Sequence, residues 1–522
     1  MPKAEILIHH PLDRYTRMSE MADNARLLLQ NQLGIIAVVL AACTGLIAYL
    51  GHGGTIAFAL ISLGTIIALA AWRSGGSGVP MLPMMVIQHL FTYGMPILTG
   101  HEMLSDYSES LITHAGLEVF VFLCMMVGAW RFGMQLFKPA PPIAYTLNIV
   151  TSEGMEGLGR MGFRLVLGAT LYQIVMGLGV AIFIFDYLPD GMYSIFVALS
   201  AAVTTCGFFL ASMAVGSGRL PHWTVSQFWV LLVVNALISA SGFLLSDTTI
   251  LFAAVMIGLF WSSGRIPWRF LIITLVLLSF FNIGKFTMRD RYWRHENLDA
   301  IPVSNSILSL PSNYVEWTQA SFDLIVNPVE KTQLATFQLQ KKGNSDSAQS
   351  LTTRVNNLQN LLYVIDAVDE GQVPLLLGAT YTLIPPLLVP RIFWADKPRS
   401  HEGQVMLNVH FGRQDMNSTL VTYVAWGLLA EAYGNFGTIG GSLFLGCVLG
   451  LLFAWVENFT SRKPVFSIEG FLAFALFLGM AASFEMVASV LVTSIFQSMI
   501  PIAAAAVPFV HRMTLKRPDP RA

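Results

Sequence analysis

The feature that most constrains this chain is a series of apolar runs, each about long enough to cross a bilayer. A transmembrane helix needs about 20 mostly apolar residues. Such runs lie at about 33–50, 54–72, 79–99, 115–137, 161–186, 190–215, 224–246, 248–263 and 266–283, and again, after a long polar segment, at 436–456, 468–486 and 488–510. Because 54% of the residues are hydrophobic and only 12% are charged, we predict an all-α, polytopic integral membrane protein.

The charges between these runs predict the orientation of the chain. Lys and Arg near the ends of spans mark the cytoplasmic side of a membrane. Every second connection carries cations, namely Arg73, Arg131, Lys138, Arg160, Arg219, Arg265 and Arg269. The connections between them, at 51–53, 101–110, 186–190 and 246–247, carry none. Both termini are therefore predicted to be cytoplasmic, and the chain emerges on the outside after its ninth run.

The same pattern divides the chain into segments. We predict a cytoplasmic N-terminal segment at 1–32 that is no cleaved signal peptide, a transmembrane bundle at 33–283, a large external loop at 284–434, C-terminal transmembrane helices at 435–510 and a cytoplasmic tail at 511–522. The four cysteines lie inside apolar runs without metal-ligand spacing, so they are interpreted as core residues. A net charge of −1 favours no nucleic-acid partner.

The external loop opens with a cluster of cations and later contains an amphipathic pattern. Arg289, Arg291 and Arg294 oppose the usual distribution of positive charge, which indicates either a ligand site or an anchor on lipid phosphates. Apolar residues recur at helical spacing over 354–369, so we predict an amphipathic helix there that lies on the membrane surface or covers a cavity.

Two stretches in the second half of the loop have an ambiguous pattern. The stretch 374–394 is apolar, but Pro385, Pro386 and Pro390 would break a helix, and the apolar stretch 419–433 is short. Irregular backbone at membrane depth is tolerated only where it is buried or lines a cavity. If both stretches are partial elements, the chain has about twelve spans, and if both cross, it has about fourteen.

A family resemblance rests on two boxes in this region. The first, over 389–398, reads VPRIFWADKP, and the second, over 429–441, reads LAEAYGNFGTIGG. The pair resembles a Pro-Arg-x-x-Trp-x-Asp-Lys-Pro box followed by Glu-x-Tyr-x-Asn-Phe-Gly in bacterial O-antigen polymerases of the Wzy type. The match covers about fifty residues, and the Arg-x10-Gly repeats of some members have no counterpart in this chain.

The resemblance implies a GT-C-like glycosyltransferase of the bacterial inner membrane with its active site facing the periplasm. Such an enzyme joins undecaprenyl-pyrophosphate-linked oligosaccharide repeat units into O-antigen or exopolysaccharide. Its implied partners are the lipid-linked oligosaccharide, membrane lipid, a chain-length regulator and a flippase. We expect no cofactor, and the absence of an Asp-x-Asp pair among the outer-loop candidates favours a mechanism without a metal.

Two kinds of side chain are needed for this chemistry. Departure of a lipid diphosphate builds negative charge that positioned cations stabilise, and the candidates are Arg391, Lys397, Arg399, Arg289, Arg291 and Arg294. The acceptor hydroxyl needs a base, and the candidates are Glu402, His401, Glu431, His410 and Asp415. A structural interpretation stands beside each role, because Arg391 and Lys397 can pair with Asp396, and both histidines can be ordinary loop residues.

Three other functions compete with the polymerase hypothesis. An O-antigen ligase shares the architecture and differs in its acceptor. A transporter of polysaccharide or lipid-linked sugar would carry polar residues through many spans, whereas charge is scarce in the runs before residue 284. A purely structural assembly partner would need no converging cations. The polymerase hypothesis predicts that Arg391 and Arg289 meet at one external site.

Overall fold

The computed structural model describes residues 18–139, 152–180, 192–218, 220–263, 265–293, 307–326, 356–369, 371, 373–389, 394, 397–420, 424–463, 468–482 and 486–513. Every regular element within these ranges is helical, which confirms the predicted all-α class. In chain order the α-helices are α1 (Met18–Leu50), α2 (Thr55–Gly75), α3 (Met81–Leu98), α4 (Glu109–Leu136), α5 (Ser152–Val175), α6 (Met192–Gly216), α7 (His222–Ser239), α8 (Ser246–Ser263), α9 (Trp268–Trp293), α10 (Leu310–Val326), α11 (Asn357–Asp369), α12 (Ile384–Leu388), α13 (Glu402–His410), α14 (Leu428–Phe436), α15 (Gly440–Thr460), α16 (Ile468–Ala482) and α17 (Ala488–Met513). A π-helical turn, Leu90–Gly94, interrupts α3.

Within the described residues, nine helices are long and apolar enough to cross a membrane. They are found in α1 to α7, α9 and α15, and α8 is a shorter apolar helix. The chain is therefore a multi-pass α-helical membrane protein. The first span differs from the prediction, because α1 begins at Met18 and continues the helix through the described part of the N-terminal segment.

The two ambiguous stretches form short elements where the structure describes them. The stretch 374–394 contains a 3-10 turn, Tyr381–Leu383, followed by the five-residue helix α12. The stretch 419–433 contains the first part of α14, which begins after Gly427 and has nine residues. Neither described element is long enough to cross a bilayer, which agrees with the interpretation of both as partial elements.

The helices fall into two compact units. Unit A comprises Arg17–Ala144 and Val355–Ile500, and unit B comprises Met1–Thr16, Tyr145–Arg354 and Pro501–Ala522. The residues of the predicted bundle at 33–283 belong partly to unit A and partly to unit B, and the predicted topological segments stay a prediction. The external loop is divided as well, so that Arg289 belongs to unit B whereas both motif boxes belong to unit A.

Unit A is built on α2, α4 and α15, which run parallel to one another. The hydroxyl of Ser442 donates to the carbonyl oxygen of Glu118, and the side chain of Asn458 donates to that of Met134. Because both pairs are 324 residues apart in the chain, α4 and α15 stay in the same register along their length. Small residues allow this close approach. A Cβ atom on Gly446 would lie 2.8 Å from the carbonyl oxygen of Phe122, and one on Gly450 would overlap that of Met126.

Replacing Gly450 with valine is therefore expected to lower the free energy of unfolding by about 3 kcal/mol, at the upper end of overpacking costs, because two backbones must separate. Thermal unfolding of the purified protein in detergent measures the effect. Gly128→Val is the matched control, since a Cβ atom at Gly128 of α4 meets nothing within 4 Å. Equal melting temperatures for the two variants would contradict this packing of α4 on α15.

Glu457 joins α2 and α15 at the C-terminal ends of these helices. Its carboxylate is fully buried and accepts a hydrogen bond from the indole Nε1 of Trp72 at 2.9 Å. The other carboxylate oxygen accepts from the backbone N–H of Ser77 at 3.4 Å. Both oxygens thus have donors, as a buried acidic group in an apolar bundle requires.

Unit B packs around aromatic side chains. Phe208 of α6 and Phe228 of α7 lie in one buried cluster with residues of α5 and α8. A second cluster places Trp317 of α10 against Phe243 and Met288. A polar contact joins two helices of the first cluster. The side chain of Asn235 in α7 donates to the hydroxyl of Thr170 in α5 at 2.8 Å. Shared aromatic and polar contacts of this kind hold α5 to α10 together as one unit.

Candidate functional site

The candidate site in unit A is built on α11, the helix predicted from the amphipathic pattern. Its apolar side chains as far as Ile365, which include Leu358 and Leu361, are fully buried, so the predicted helix is confirmed from Asn357 onward. Four of its polar residues are spaced three apart, at Asn360, Tyr363, Asp366 and Asp369. Neighbours at this spacing lie side by side on a helix. The row is about 13 Å long, because each residue rises 1.5 Å.

One end of this row meets a histidine that lies between two carboxylates. His114 of α4 has its Nδ1 atom 3.2 Å from a carboxylate oxygen of Asp369. Its Nε2 atom is 3.5 Å from Oε1 of Glu118, one turn further along α4. The side chains of His114 and Asp369 are 22% and 38% exposed, whereas that of Glu118 is 1% exposed. A group from solution can therefore reach the histidine and Asp369, with Glu118 behind them.

Glu118 is held by the start of α15. The backbone N–H of Ile439 donates to its Oε1 atom at 2.7 Å, and the hydroxyl of Ser442 donates to its other carboxylate oxygen. Ile439 has a φ of 60°, a left-handed conformation that is costly for a β-branched residue. Such strain is characteristic of sites where the surrounding structure demands one geometry. Here it aims the N–H group at the carboxylate.

Tyr433 completes this end of the site. Its hydroxyl donates to Oδ1 of Asp369 at 3.0 Å and lies 2.9 Å from the hydroxyl of Thr438. Burial raises the pKa of Tyr433, which keeps the phenol protonated. An imidazole oriented by a carboxylate is the usual arrangement of a general base. We call His114, Glu118, Asp369 and Tyr433 the acidic end.

An earlier turn of α11 binds a half-buried arginine. The Nη1 atom of Arg413 donates to Oδ1 of Asn360 at 2.7 Å. The guanidinium lies 5.4 Å from the ring centre of Tyr363 and 5.6 Å from that of Trp426. Burial lowers the pKa of Arg413 from its usual high value. A guanidinium between aromatic walls is well suited to hold a phosphate or diphosphate group. We call Arg413, Asn360, Tyr363 and Trp426 the cationic end.

Tyr107 lies between the two ends. It immediately precedes α4 and interacts electrostatically with Asp366 of α11 and with Arg413. Burial, followed by the charge of Asp366, raises the pKa of the Tyr107 phenol. The phenol thus stays protonated and can donate a hydrogen bond. Tyr107 therefore links Asp366 of α11 to the arginine of the cationic end.

The second motif box forms α14, which connects this surface to neighbouring segments. Its backbone accepts from the N–H groups of Leu376 and Leu377, each at 3.0 Å. The side chain of Asn435 accepts from the N–H of Gly378 at 3.0 Å and donates to the hydroxyl of Thr380 at 2.9 Å. The tyrosine of the same box belongs to the acidic end. The box thus positions the segment after α11 and one part of the site together.

Glu431, a predicted candidate base, lies in this box but faces away from solvent. It is fully buried, and its Oε2 atom accepts from the backbone N–H of Ala488 at 2.6 Å. Burial raises the pKa of Glu431 to about 7, against the opposing effect of the Ala488 N–H group. This geometry anchors the start of α17 to α14.

In the wild type, the free energy of unfolding is expected to fall as the pH rises, because the buried Glu431 becomes ionised. Replacing Glu431 with glutamine is expected to abolish this fall. The folded carboxyl has a pKa of about 7 against an ordinary value of 4.5. Its contribution to stability is therefore complete below about pH 4.5 and is lost as the pH rises through about 7, on the order of 3 kcal/mol in total. Melting temperatures at pH 5 and pH 8 measure this loss, with the exposed Glu102→Gln variant as control. An unchanged pH dependence in Glu431→Gln would contradict the assignment.

The remaining predicted bases and two of the predicted cations lie between α12 and α14, each with a defined partner. The Nζ atom of Lys397 donates to the carbonyl oxygens of Leu387 and Val389 at 2.8 and 2.6 Å. The others pair as follows: Arg399 with Glu402 at 3.6 Å, His401 with Gln404 at 2.8 Å, His410 with the carbonyl oxygen of Pro374 at 2.7 Å, and Asp415 with the N–H of Ser418 at 2.8 Å. The hydrogen bonds from Ser418 hold the pKa of the exposed Asp415 below its usual value. Lys397 thus fixes the end of α12, as a structural residue would.

The other predicted cations are described only in part. Arg391 and Arg294 lie outside the described residues, and of Arg291 only the backbone, in α9, is described. Arg289 lies in unit B, where its Nε atom donates to the carbonyl oxygen of Phe243 at 3.0 Å. The predicted meeting of Arg391 and Arg289 therefore stays a prediction.

Sequence reasoning missed the residues of both ends of the site. Glu118 and His114 occur one helical turn apart at the start of an apolar run. A charged residue inside a span is a functional signal in itself, so this pair could have been found. Arg413 lies in the polar insert between the boxes and carries no such signal, because its aromatic walls come from distant parts of the chain.

Among the described residues, no group of three or more His, Cys, Asp or Glu side chains is arranged to hold a metal ion. Comparison of the chain with protein-family models, with curated proteins and with solved structures gives no match.

Proposed function

We propose that this multi-pass membrane protein is a glycosyltransferase that joins oligosaccharide repeat units carried on undecaprenyl pyrophosphate, at the periplasmic face of the bacterial inner membrane. One observation carries the proposal: the same helix, α11, binds a half-buried guanidinium through Asn360 and a histidine through the carboxylate of Asp369. The transfer of a sugar from a lipid diphosphate needs a cation for the leaving group and a base for the acceptor.

The two ends correspond to the two halves of this reaction. The acceptor hydroxyl oxygen attacks the anomeric carbon of the donor and passes its proton to His114. The bond between the anomeric carbon and the diphosphate oxygen breaks, and its electron pair leaves with the diphosphate. Arg413 stabilises the charge on that leaving group. Asp369 and Glu118 orient the imidazole and stabilise its protonated form.

The charge pattern of the loops supports the periplasmic side. The acidic end lies at the N-terminal ends of α4 and α15. The connection before α4, at 101–110, contains no Lys or Arg, whereas Arg131 and Arg462 lie near the other ends of these helices. Because cytoplasmic loops are enriched in cations, the site belongs on the opposite side. A flippase that delivers the lipid-linked unit and a chain-length regulator are the implied partners.

The purified protein in nanodiscs, supplied with a synthetic undecaprenyl-pyrophosphate-linked repeat unit, tests this proposal. We expect a ladder of products that differ by whole repeat units, with one undecaprenyl pyrophosphate released for each bond formed. A parallel reaction contains lipid A core as a second acceptor. Transfer to lipid A core without a ladder would replace the polymerase by a ligase. Unchanged substrate in both reactions, despite measured substrate binding, would exclude both enzymes.

A further inference from the structure

Unit B contains an apolar cleft of about 880 Å³ between α7 and α9. Residues of α8 and α10 complete its walls. Its size is at the upper end of the range for ligand pockets in proteins. Most of the aromatic and aliphatic side chains that line it come from α7 and α9, which are both candidate membrane spans.

The cleft opens toward the hydrocarbon of the bilayer. Val230 of α7 and Val276 of α9 are 63% and 62% exposed, and Ile273, which lines the cleft, is 59% exposed. Exposed aliphatic side chains on a spanning helix face lipid in a membrane. A space of this size with apolar walls takes up apolar molecules and excludes water. The occupant therefore carries long hydrocarbon chains and comes from the bilayer.

The two ends of the cleft differ in charge. At one end, Arg269 is exposed and is the only charged side chain among the described residues that line the cleft. Trp268 beside it is 60% exposed. Tryptophan and arginine at the end of a span are typical of the headgroup level. Their position favours an anionic headgroup, because phosphate attracts a guanidinium at the membrane surface.

The opposite end is closed by two aromatic residues of α10, and the polar groups of both side chains donate hydrogen bonds within the protein. The hydroxyl of Tyr314 donates to the carbonyl oxygen of Leu237 at 2.7 Å, and the indole of Trp317 donates to that of Phe281 at 2.8 Å. The two rings are stacked with their centres 5.7 Å apart. This end thus suits the ends of hydrocarbon chains, and the headgroup belongs at Arg269.

We propose that this cleft is a specific site for one anionic diacyl phospholipid, with its acyl chains between α7 and α9 and its phosphate on Arg269. The site is separate from the residues assigned to glycan transfer. Binding of the lipid joins α7 to α9 through a ligand and so stabilises unit B.

Native mass spectrometry of the detergent-purified full chain tests this proposal, with phosphatidylglycerol, phosphatidylcholine and undecaprenyl phosphate added separately. We expect one tightly retained phosphatidylglycerol per wild-type chain. Ala236→Trp fills the cleft and is expected to reduce its retention at least about tenfold. Arg269→Gln is expected to weaken phosphatidylglycerol binding about fivefold and to abolish the preference over phosphatidylcholine.

Each variant has a control outside the cleft. Val230→Trp adds the same side chain to the lipid-facing surface of α7, and Arg265→Gln removes an exposed cation four residues before Arg269. Both are expected to bind as the wild type does. Equal retention in Ala236→Trp and Val230→Trp, with both variants folded by size exclusion and thermal unfolding, would show non-specific lipid and overturn the proposal. Preferential retention of undecaprenyl phosphate would overturn it as well. Because the readout is binding alone, its outcome is independent of glycan transfer.

Discussion

Replacing His114 with glutamine is expected to lower the rate of glycan elongation by a factor of about 100 to 10,000, the usual contribution of a general base. Glutamine keeps polar atoms near Asp369 and Glu118 but cannot take a proton from the acceptor hydroxyl. The rate is measured from the ladder formed on a synthetic lipid-linked repeat unit. The Michaelis constant for the donor is expected to change little, because the imidazole acts on the acceptor.

The exposed His222→Gln variant in α7 is the control for the loss of an imidazole as such. A second variant, Asp369→Asn, removes the carboxylate that orients His114 at 3.2 Å. Its effect and that of His114→Gln are expected to be strongly non-additive, since both act through one group. If His114→Gln forms a normal ladder, His114 is not the base, and the next residue to replace is Glu402, a predicted base that pairs with the predicted cation Arg399.

The sequence predicts those parts of the fold that depend on the pattern of residues close together in the chain. The helix α11 follows from residues spaced three and four apart, and Leu358, Leu361 and Ile365 of the predicted apolar face are buried. Nine of the twelve predicted apolar runs correspond, within the described residues, to helices long and apolar enough to cross a membrane, for the same reason. The short elements around Pro385 and Pro386 follow from proline chemistry, which also acts within a few residues.

The candidate site depends on contacts between distant residues, which one sequence does not contain. Asp369 meets a histidine of α4, and Glu118 meets a hydroxyl 324 residues away. The first box shows the opposite difficulty. The charge of Lys397 predicted a ligand role, but its ammonium binds two carbonyl oxygens at the end of α12. The conformation of the loop decides between these roles, and residue type alone does not.

Replacing Arg413 with glutamine is expected to lower the elongation rate by a factor of about 100 to 1,000, comparable to the loss of one preorganised group that stabilises transition-state charge. Glutamine can still bond to Asn360, but it carries no charge for the departing diphosphate. The half-buried Arg26→Gln variant in α1, which also loses a guanidinium bonded to a carbonyl oxygen, is the control. Elongation kinetics and the inhibition constant of undecaprenyl pyrophosphate, the released product, are measured together.

Arg413→Lys separates the charge from the planar shape of the guanidinium. Lysine is a compact point charge and cannot fill the space between Tyr363 and Trp426 as a flat group does, so we expect a loss of about tenfold. A merely structural role for Arg413 would lower the melting temperature and leave product inhibition unchanged, because the diphosphate would bind elsewhere. A weaker product inhibition that follows the order Arg, Lys, Gln would place the diphosphate at the cationic end. Equal inhibition of all three proteins would assign the diphosphate to the predicted cations Arg391, in the first box, and Arg399, directly after it.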